Sequence, residues 1–281
     1  MSIAKIQACI IGWPVAHSRS PVIHRYWLKL HGLGGAYEME AVRPEEIEEF
    51  LKNLGKRGYA GANVTLPHKA AALAAADRPD EAATAIGAAN TLWLDDHGLL
   101  HASNTDAYGF MTHLAAEAPD WNKGIRPVMV LGAGGAARAI LHGLLEAGAA
   151  KMLLANRTED RARALAQGFG SRVSLVPWED RNRALAGCGL LVNATSLGMT
   201  GKPPLDLDLS ALPKDAIVAD IVYSQLETPL LTAAKARGNR IVDGLGMLLH
   251  QAVPGFERWF GVRPEVTPEL RAYVAANLGA S

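Results

Sequence analysis

Cysteine is scarce: Cys9 and Cys188 are the only two in 281 residues. There is no CxxC, and the histidines, among them His17, His24, His68, His101 and His250, show no metal-type spacing. That excludes a disulfide scaffold and a structural zinc site, and no metal is expected. Two free buried thiols in a reducing cytoplasm are the expectation. An excess of either charge is also missing, with 28 Lys+Arg against 28 Asp+Glu. A nucleic-acid partner would need a basic excess on some face, so none is expected. Apolar runs fall short of the roughly 20 residues that span a bilayer, so no membrane partner is expected. The stretch ending at Ile11 is too short for the core of a secretory signal.

What is present is an alternation of short apolar runs and helical patterns. At roughly 150 residues per domain the length suggests two domains, and the alternation suggests parallel α/β architecture. Strands are expected at Ile6–Ile11, Tyr37–Ala41, Tyr59–Val64, Val128–Leu131, Met152–Ala155, Val173–Val176, Leu190–Ala194 and Ala216–Ile221, with a hairpin over Leu92–Ser103. Helices are expected at Pro21–Leu30, Pro44–Leu54, Asp106–Glu117, Gly135–Ala147, Thr158–Phe169, Leu245–Phe260 and Pro268–Leu278. The domain change is placed near Asp106.

Residues 128–138 read VMVLGAGGAAR, an apolar strand, a glycine turn and a helix start. Gly132, Gly134 and Ala137 satisfy G-x-G-x-x-[G/A], the turn that lets a backbone approach a pyrophosphate at a helix N-terminus. A tight turn with no ligand is the plainer account, but the strand and helix context favours a dinucleotide. The next strand runs into Ala155-Asn156-Arg157-Thr158-Glu159-Asp160-Arg161 without an acid at its tip. An NAD site usually carries one there for the ribose 2′-hydroxyl. Arg157 and Arg161, four apart, share a face if the helix begins here, and two guanidiniums suit a 2′-phosphate. NADP is therefore expected over NAD.

Several polar segments sit where strands end. Ser18 and Ser20 precede Pro21; Ser20 reads as an N-cap, while the pair could also receive a carboxylate. Lys69, in NVTLPHK, falls in a first helical turn, where the dipole disfavours a cation. That placement suits acid–base work, although a surface lysine is the commoner outcome. Asp106 opens a helix, as first-turn acids do, and could equally partner Lys69. Met247 and Gln251 are four apart; a core Met with a surface Gln is the simpler reading.

Together these segments resemble the shikimate dehydrogenase family along nearly the whole chain. The strings that carry the resemblance are PVAHSRSPVIH, GANVTLPHK, GAANTL, NTDAYG, LGAGGAAR, ANRT, NATSLGM, DIVY, TPLL and DGLGMLLHQA, in that order. The resemblance implies an N-terminal α/β substrate domain, a Rossmann-type doubly wound NADP-binding domain and C-terminal helices that return to the first. The division it suggests is 1–105 with 244–281, against 106–243. It implies reversible NADP-dependent reduction of 3-dehydroshikimate to shikimate, in aromatic amino acid (chorismate) biosynthesis, with shikimate as the small-molecule partner. It allows a homodimer.

By motif match, Lys69 is the catalytic lysine and Asp106 its acidic partner. Ser18 and Ser20 match the pair that takes the substrate carboxylate, with Tyr223 assigned to the same substrate. Thr65, Asn90 and Gln251 match substrate-binding positions, with Asn63 a further candidate. Gly132, Gly134, Gly135 and Ala136 match the phosphate loop. Asn156, Arg157, Thr158 and Arg161 match the NADP-selecting segment, and Thr195, Gly244 and Met247 match positions lining the nicotinamide side. Two departures stand out: Ala107 where the family often has Gly, and Ser224-Gln225 where many relatives have Asn-Pro. These leave open a quinate/shikimate dehydrogenase using NAD, and, in another class, a non-catalytic NADP-binding regulator.

Overall fold

The structure is a computed structural model that describes residues 6–278. It divides into two compact units, Met1–Asp106 with Leu249–Ser281, and Ala107–Leu248. The sequence placed Asp106 and residues 244–248 on the other side of the division. Asp106 goes with the first unit because its carboxylate pairs there with Lys69. Met247 goes with the second because it is buried in that unit's core.

The first unit holds β1 (Gln7–Gly12), β2 (Ala36–Ala41), β3 (Tyr59–Val64), β4 (Arg78–Pro79), β5 (Thr91–Leu94) and β6 (Leu100–Ser103), in the order β2-β1-β3-β5-β6-β4. β1 runs parallel to β2 and β3, but β5 is antiparallel to both β3 and β6. The sheet is therefore mixed, not parallel throughout. The cause is the tight turn after β5: the Asp95 carboxylate accepts from the His97 and Leu99 amides at 2.9 Å each. A connection that short can only join antiparallel strands.

This topology decides where the polar strand ends gather. β1 and β3 finish at one edge of the sheet. Because β5 is reversed, its start at Thr91 lies opposite Asn63 near the end of β3, and Thr91 pairs with Ser103 at the end of β6. Residues 12–20, 65–69, 90–91 and 104–106 are thus carried to a single edge.

An aromatic cluster packs against this sheet, its Tyr37 phenol donating to Asn63 of β3 at 2.6 Å. His24 stacks on Tyr37 at 4.1 Å between centroids, with Trp27, Phe256 and Trp259 all within 6 Å. Burial pushes the His24 imidazole down to about 3. The native state therefore holds it neutral while the unfolded chain protonates it near 6.5. Below that value the unfolded state binds one more proton, so stability is lost as pH falls, at about 1.4 kcal/mol per pH unit. Urea unfolding between about pH 5 and pH 7 should show His24→Leu with a pH slope shallower than wild type by about one proton. Equal slopes would mean that His24 titrates in the native protein as it does in the unfolded chain.

The second unit holds β7 (Val128–Leu131), β8 (Met152–Ala155), β9 (Val173–Leu175), β10 (Leu190–Asn193), β11 (Ile217–Asp220) and β12 (Arg240–Val242). Their order is β12-β11-β10-β7-β8-β9, with every pairing parallel. This is the doubly wound arrangement, with its switch point between β7 and β10. β7 is buried on both faces. Val128 and Val130 pack with Phe110, Leu114 and Ile140, while Met129 and Leu131 pack with Leu205, Leu230 and Leu231. Alternate residues of one strand thus serve two cores, which is why it reads as a continuous apolar run. No helix among the described residues is long and apolar enough to cross a membrane.

Candidate active site

In the first unit the chain after β3 turns at Thr65 and enters the helix Lys69–Ala75 with His68 as N-cap. Gly12 makes this possible: a Cβ there would lie 2.5 Å from the Thr65 methyl. Lys69 is the first helical residue. Its ammonium bonds the Asp106 carboxylate at 2.5 Å, the two side chains being 19% and 10% exposed. That is a mostly buried ion pair with one open side.

The pair is held from beneath. The Asn90 amide donates to the second Asp106 oxygen at 2.8 Å. Asn90 is fixed in turn, because its side-chain carbonyl accepts from the Thr105 amide at 2.8 Å and from the Thr91 hydroxyl at 3.1 Å. Asn104 accepts from the Asp106 amide at 3.1 Å. A buried pair is stable only when its remaining lone pairs are met, and these bonds meet them. Gln251 joins the cluster, its side-chain oxygen 3.5 Å from the Asn90 amide and its backbone carbonyl accepting from the Thr105 hydroxyl at 2.8 Å. Asn63 links this cluster to the Tyr37 phenol: its side chain accepts from that phenol at 2.6 Å and donates to the Asn90 backbone carbonyl at 3.2 Å and the Thr91 hydroxyl at 3.3 Å.

Ser18 and Ser20 lie on the segment leaving β1. The helix starts one residue earlier than the sequence suggests: it runs Ser20–Leu30 with Arg19 as N-cap, so Ser20 is not the cap. Its N-cap duty lapses because Ser20 is already helical. The Ser20 amide donates to the Ser18 hydroxyl at 3.3 Å, and its side chain is buried as a partner of the Tyr37 phenol. Ser18 is half-buried. The first unit therefore carries Ser18, Ser20, Thr65, Lys69, Asn90, Asp106 and Gln251.

The second unit carries the remainder, at the carboxyl ends of its strands. Gly132 follows β7 at φ +111°, and a Cβ would meet the Ala194 carbonyl at 2.8 Å, so only glycine fits. The helix Gly135–Glu146 has Gly134 as N-cap, no side-chain cap and no acid in its first turn. Gly134 and Gly135 face open space and Ala136 is half-buried, so the first-turn amides are accessible to an anion.

After β8, Asn156 donates to the Thr158 carbonyl at 2.8 Å. Thr158 is the N-cap of the helix Glu159–Gln167, but its hydroxyl makes no capping bond. Thr158 is extended, so Arg157 lies before the helix, and the shared helical face expected for Arg157 and Arg161 does not form. Both arginines are exposed. Neither has an ion pair among the described residues, whereas Arg163 is paired with Glu159. This set, with amides at a bare helix start and two free guanidiniums past a strand tip that lacks an acid, fits a dinucleotide bearing a 2′-phosphate.

Thr195 follows β10, Tyr223 follows β11 and Gly244 follows β12. Gly244 packs on the exit of β11, where a Cβ would lie 2.4 Å from the Ile221 carbonyl. Met247 is buried in this unit's core. The Thr195 hydroxyl is committed locally: it donates to Asn193 at 2.7 Å and accepts from the Leu197 amide at 3.1 Å.

Two residues that the sequence reading passed over organise this edge. The Asn193 amide donates to Asp220 at 2.9 Å. Asp220 also accepts from the Val222 amide at 3.0 Å and the Thr228 hydroxyl at 2.7 Å. Burial raises the Asp220 carboxyl above the ordinary aspartate range, against the pull of these bonds. The signal was there in the sequence: each residue is a lone polar group closing an apolar run.

Three family profiles match the chain. They are described as shikimate dehydrogenase substrate binding domain (residues 10–92), shikimate/quinate 5-dehydrogenase (115–199) and shikimate 5′-dehydrogenase C-terminal domain (244–268). The chain is 58% identical over 278 residues to a shikimate dehydrogenase (NADP(+)) of Rhodopseudomonas palustris, covering 99% of both. It is 57% identical over 271 residues to one from Nitrobacter winogradskyi, covering 96% of both. Among solved structures, a Thermus thermophilus shikimate 5-dehydrogenase in complex with NADP(H) and shikimate aligns with TM-score 0.84 at 38% identity, covering 97% of this chain and 99% of that one. A Corynebacterium glutamicum quinate dehydrogenase in complex with NAD aligns with TM-score 0.90 at 32% identity, over the same shares.

Proposed function

This chain belongs to the shikimate dehydrogenase family, and from that premise we propose that it interconverts shikimate and 3-dehydroshikimate with NADP, in aromatic amino acid biosynthesis. The carrying observation is the Lys69–Asp106 pair, short, mostly buried and braced by Asn90 at the edge where four strand ends meet. When bound, NADP would supply the hydride acceptor for oxidation of the ring carbon and NADPH the donor for the reverse reaction. The pyrophosphate is assigned to Gly132, Gly134, Gly135 and Ala136, and the 2′-phosphate to Asn156, Arg157, Thr158 and Arg161. Thr195, Gly244 and Met247 are assigned to the nicotinamide side.

Lys69 handles the proton. In oxidation Lys69, as the neutral amine left once its ammonium has given one proton to solvent, accepts the hydroxyl proton as the C=O bond forms, directly or through one water. In reduction the Lys69 ammonium donates to the carbonyl oxygen and stabilises charge that develops there. Asp106 holds the amine in place and bonds a ring hydroxyl. Ser18 and Ser20 receive the carboxylate, while Thr65, Asn90, Gln251 and Tyr223 serve the remaining hydroxyls. Such a site rejects analogues lacking those hydroxyls, because its own polar groups would be left unpaired. The reading places the enzyme in the cytoplasm, where the buried free thiols of Cys9 and Cys188 stay reduced.

The test is NADPH or NADH formation with shikimate or quinate as donor, in all four pairings. Shikimate with NADP should give the highest kcat/KM by a wide margin. The quinate alternative would take over if quinate with NAD dominated, and a chain inactive with every pair would leave the regulatory reading.

A further inference from the structure

Ser224 and Gln225, the pair that stands where many relatives have Asn-Pro, both bond a neighbouring loop. The Gln225 side-chain amide donates to the Gly198 carbonyl at 2.5 Å. The Ser224 hydroxyl accepts from the Thr200 amide at 3.2 Å. Both bonds grip one loop, 196–203, which is otherwise closed on itself: the Gly198 amide donates to the Pro203 carbonyl at 2.8 Å and Met199 to Ser196 at 3.3 Å. Gly198 sits there at φ +90°.

The loop is anchored at its root as well. Leu197 donates to the Thr195 hydroxyl and its carbonyl accepts from Asn193, which is tied to Asp220. Asp220 also fixes the start of the segment that carries Ser224 and Gln225, through the Val222 amide and the Thr228 hydroxyl. The loop after β10 and the loop after β11 are therefore one braced unit, with Asp220 beneath and Ser224 and Gln225 across its top. These are the carboxyl ends of two parallel strands beside the switch point, where doubly wound sheets take their ligands.

We infer that Ser224 and Gln225 are positioning residues for the coenzyme-facing loop 195–200, so that their departure from the family pattern tunes affinity for the nicotinamide coenzyme and not the choice of polyhydroxy acid. The inference rests on the coenzyme assignment made above. Both side chains are half-buried, so their removal leaves the core intact.

The experiment compares wild type, Ser224→Ala, Gln225→Ala, the double variant and Ser224→Thr. Two readouts do not depend on turnover: hydrogen exchange at the Gly198 and Thr200 amides, and NADPH affinity by fluorescence titration. In the double variant Thr200 and Gly198 should exchange faster, and the NADPH Kd should rise about five- to tenfold, the effect of about one net hydrogen bond. The KM for shikimate should stay within about twofold of wild type. Ser224→Thr keeps the hydroxyl and should keep Thr200 protected. Unchanged exchange would show that the loop is not held by these residues. Faster exchange with unchanged NADPH affinity, or a shift confined to shikimate KM, would overturn the coenzyme role. If wild type itself fails to bind NADPH, the underlying reading fails instead, and the exchange data still report on the brace.

Discussion

Lys69→Ala lowers kcat for shikimate oxidation by about three orders of magnitude and changes the KM for shikimate by no more than a few-fold. The asymmetry follows from where the ammonium acts. Charge on the reacting oxygen is greatest at the transition state, so a donor aimed there contributes little to ground-state binding. Ser18, Ser20, Thr65 and Gln251 remain to hold the substrate. Removing Lys69 also leaves the Asp106 carboxylate without its cation, although the Asn90 amide still bonds it at 2.8 Å. Some stability is lost with it, and circular dichroism separates misfolding from lost chemistry. Steady-state kinetics in both directions provide the check. Turnover near wild type would remove Lys69 from the proton pathway.

The second large effect is on the coenzyme. Replacing both Arg157 and Arg161 by alanine should lower the NADP-to-NAD ratio of kcat/KM by about a hundredfold. A bond from a charged donor contributes about 1.5 kcal/mol or more, roughly tenfold each, and two are removed. The loss should fall on NADP alone, since NAD offers no 2′-phosphate to the guanidiniums. Both side chains are exposed, and neither supports an ion pair among the described residues, so the fold should be indifferent to the change. Kinetics with each coenzyme decide the matter: a ratio that stays put would mean that the 2′-phosphate is recognised elsewhere.

The strongly apolar strands were legible. Tyr59–Val64, Val128–Leu131 and Met152–Ala155 fall where the runs of Val, Leu, Met and Ala place them, as does the helix Asp106–Glu117. Two of the four edge strands, β4 and β12, were not. β4 is two residues with a proline, and β12 begins with an exposed arginine, so neither has the buried apolar run by which a strand is read. The pattern over Pro44–Leu54 resolves into a 3₁₀ turn and the short helix Ile47–Lys52, because proline and a run of acids suit a helix start without lengthening it. At the candidate site, residue types were readable from motifs, and the Lys69–Asp106 partnership only through the family resemblance, whereas the bracing bonds around it were not. Lys69 and Asp106 are 37 residues apart and meet only because β5 reverses direction. Asn193 and Asp220 are 27 apart on neighbouring parallel strands, and nothing local in either segment announces the other.

The most direct measurement is a crystal structure of the protein with shikimate alone. The account predicts that the hydroxyl to be oxidised lies about 3 Å from the Lys69 ammonium and beside the Asp106 carboxylate, with the shikimate carboxylate on the hydroxyls of Ser18 and Ser20. Shikimate bound in reverse, its carboxylate on Lys69 and its ring hydroxyls toward the serines, would contradict it.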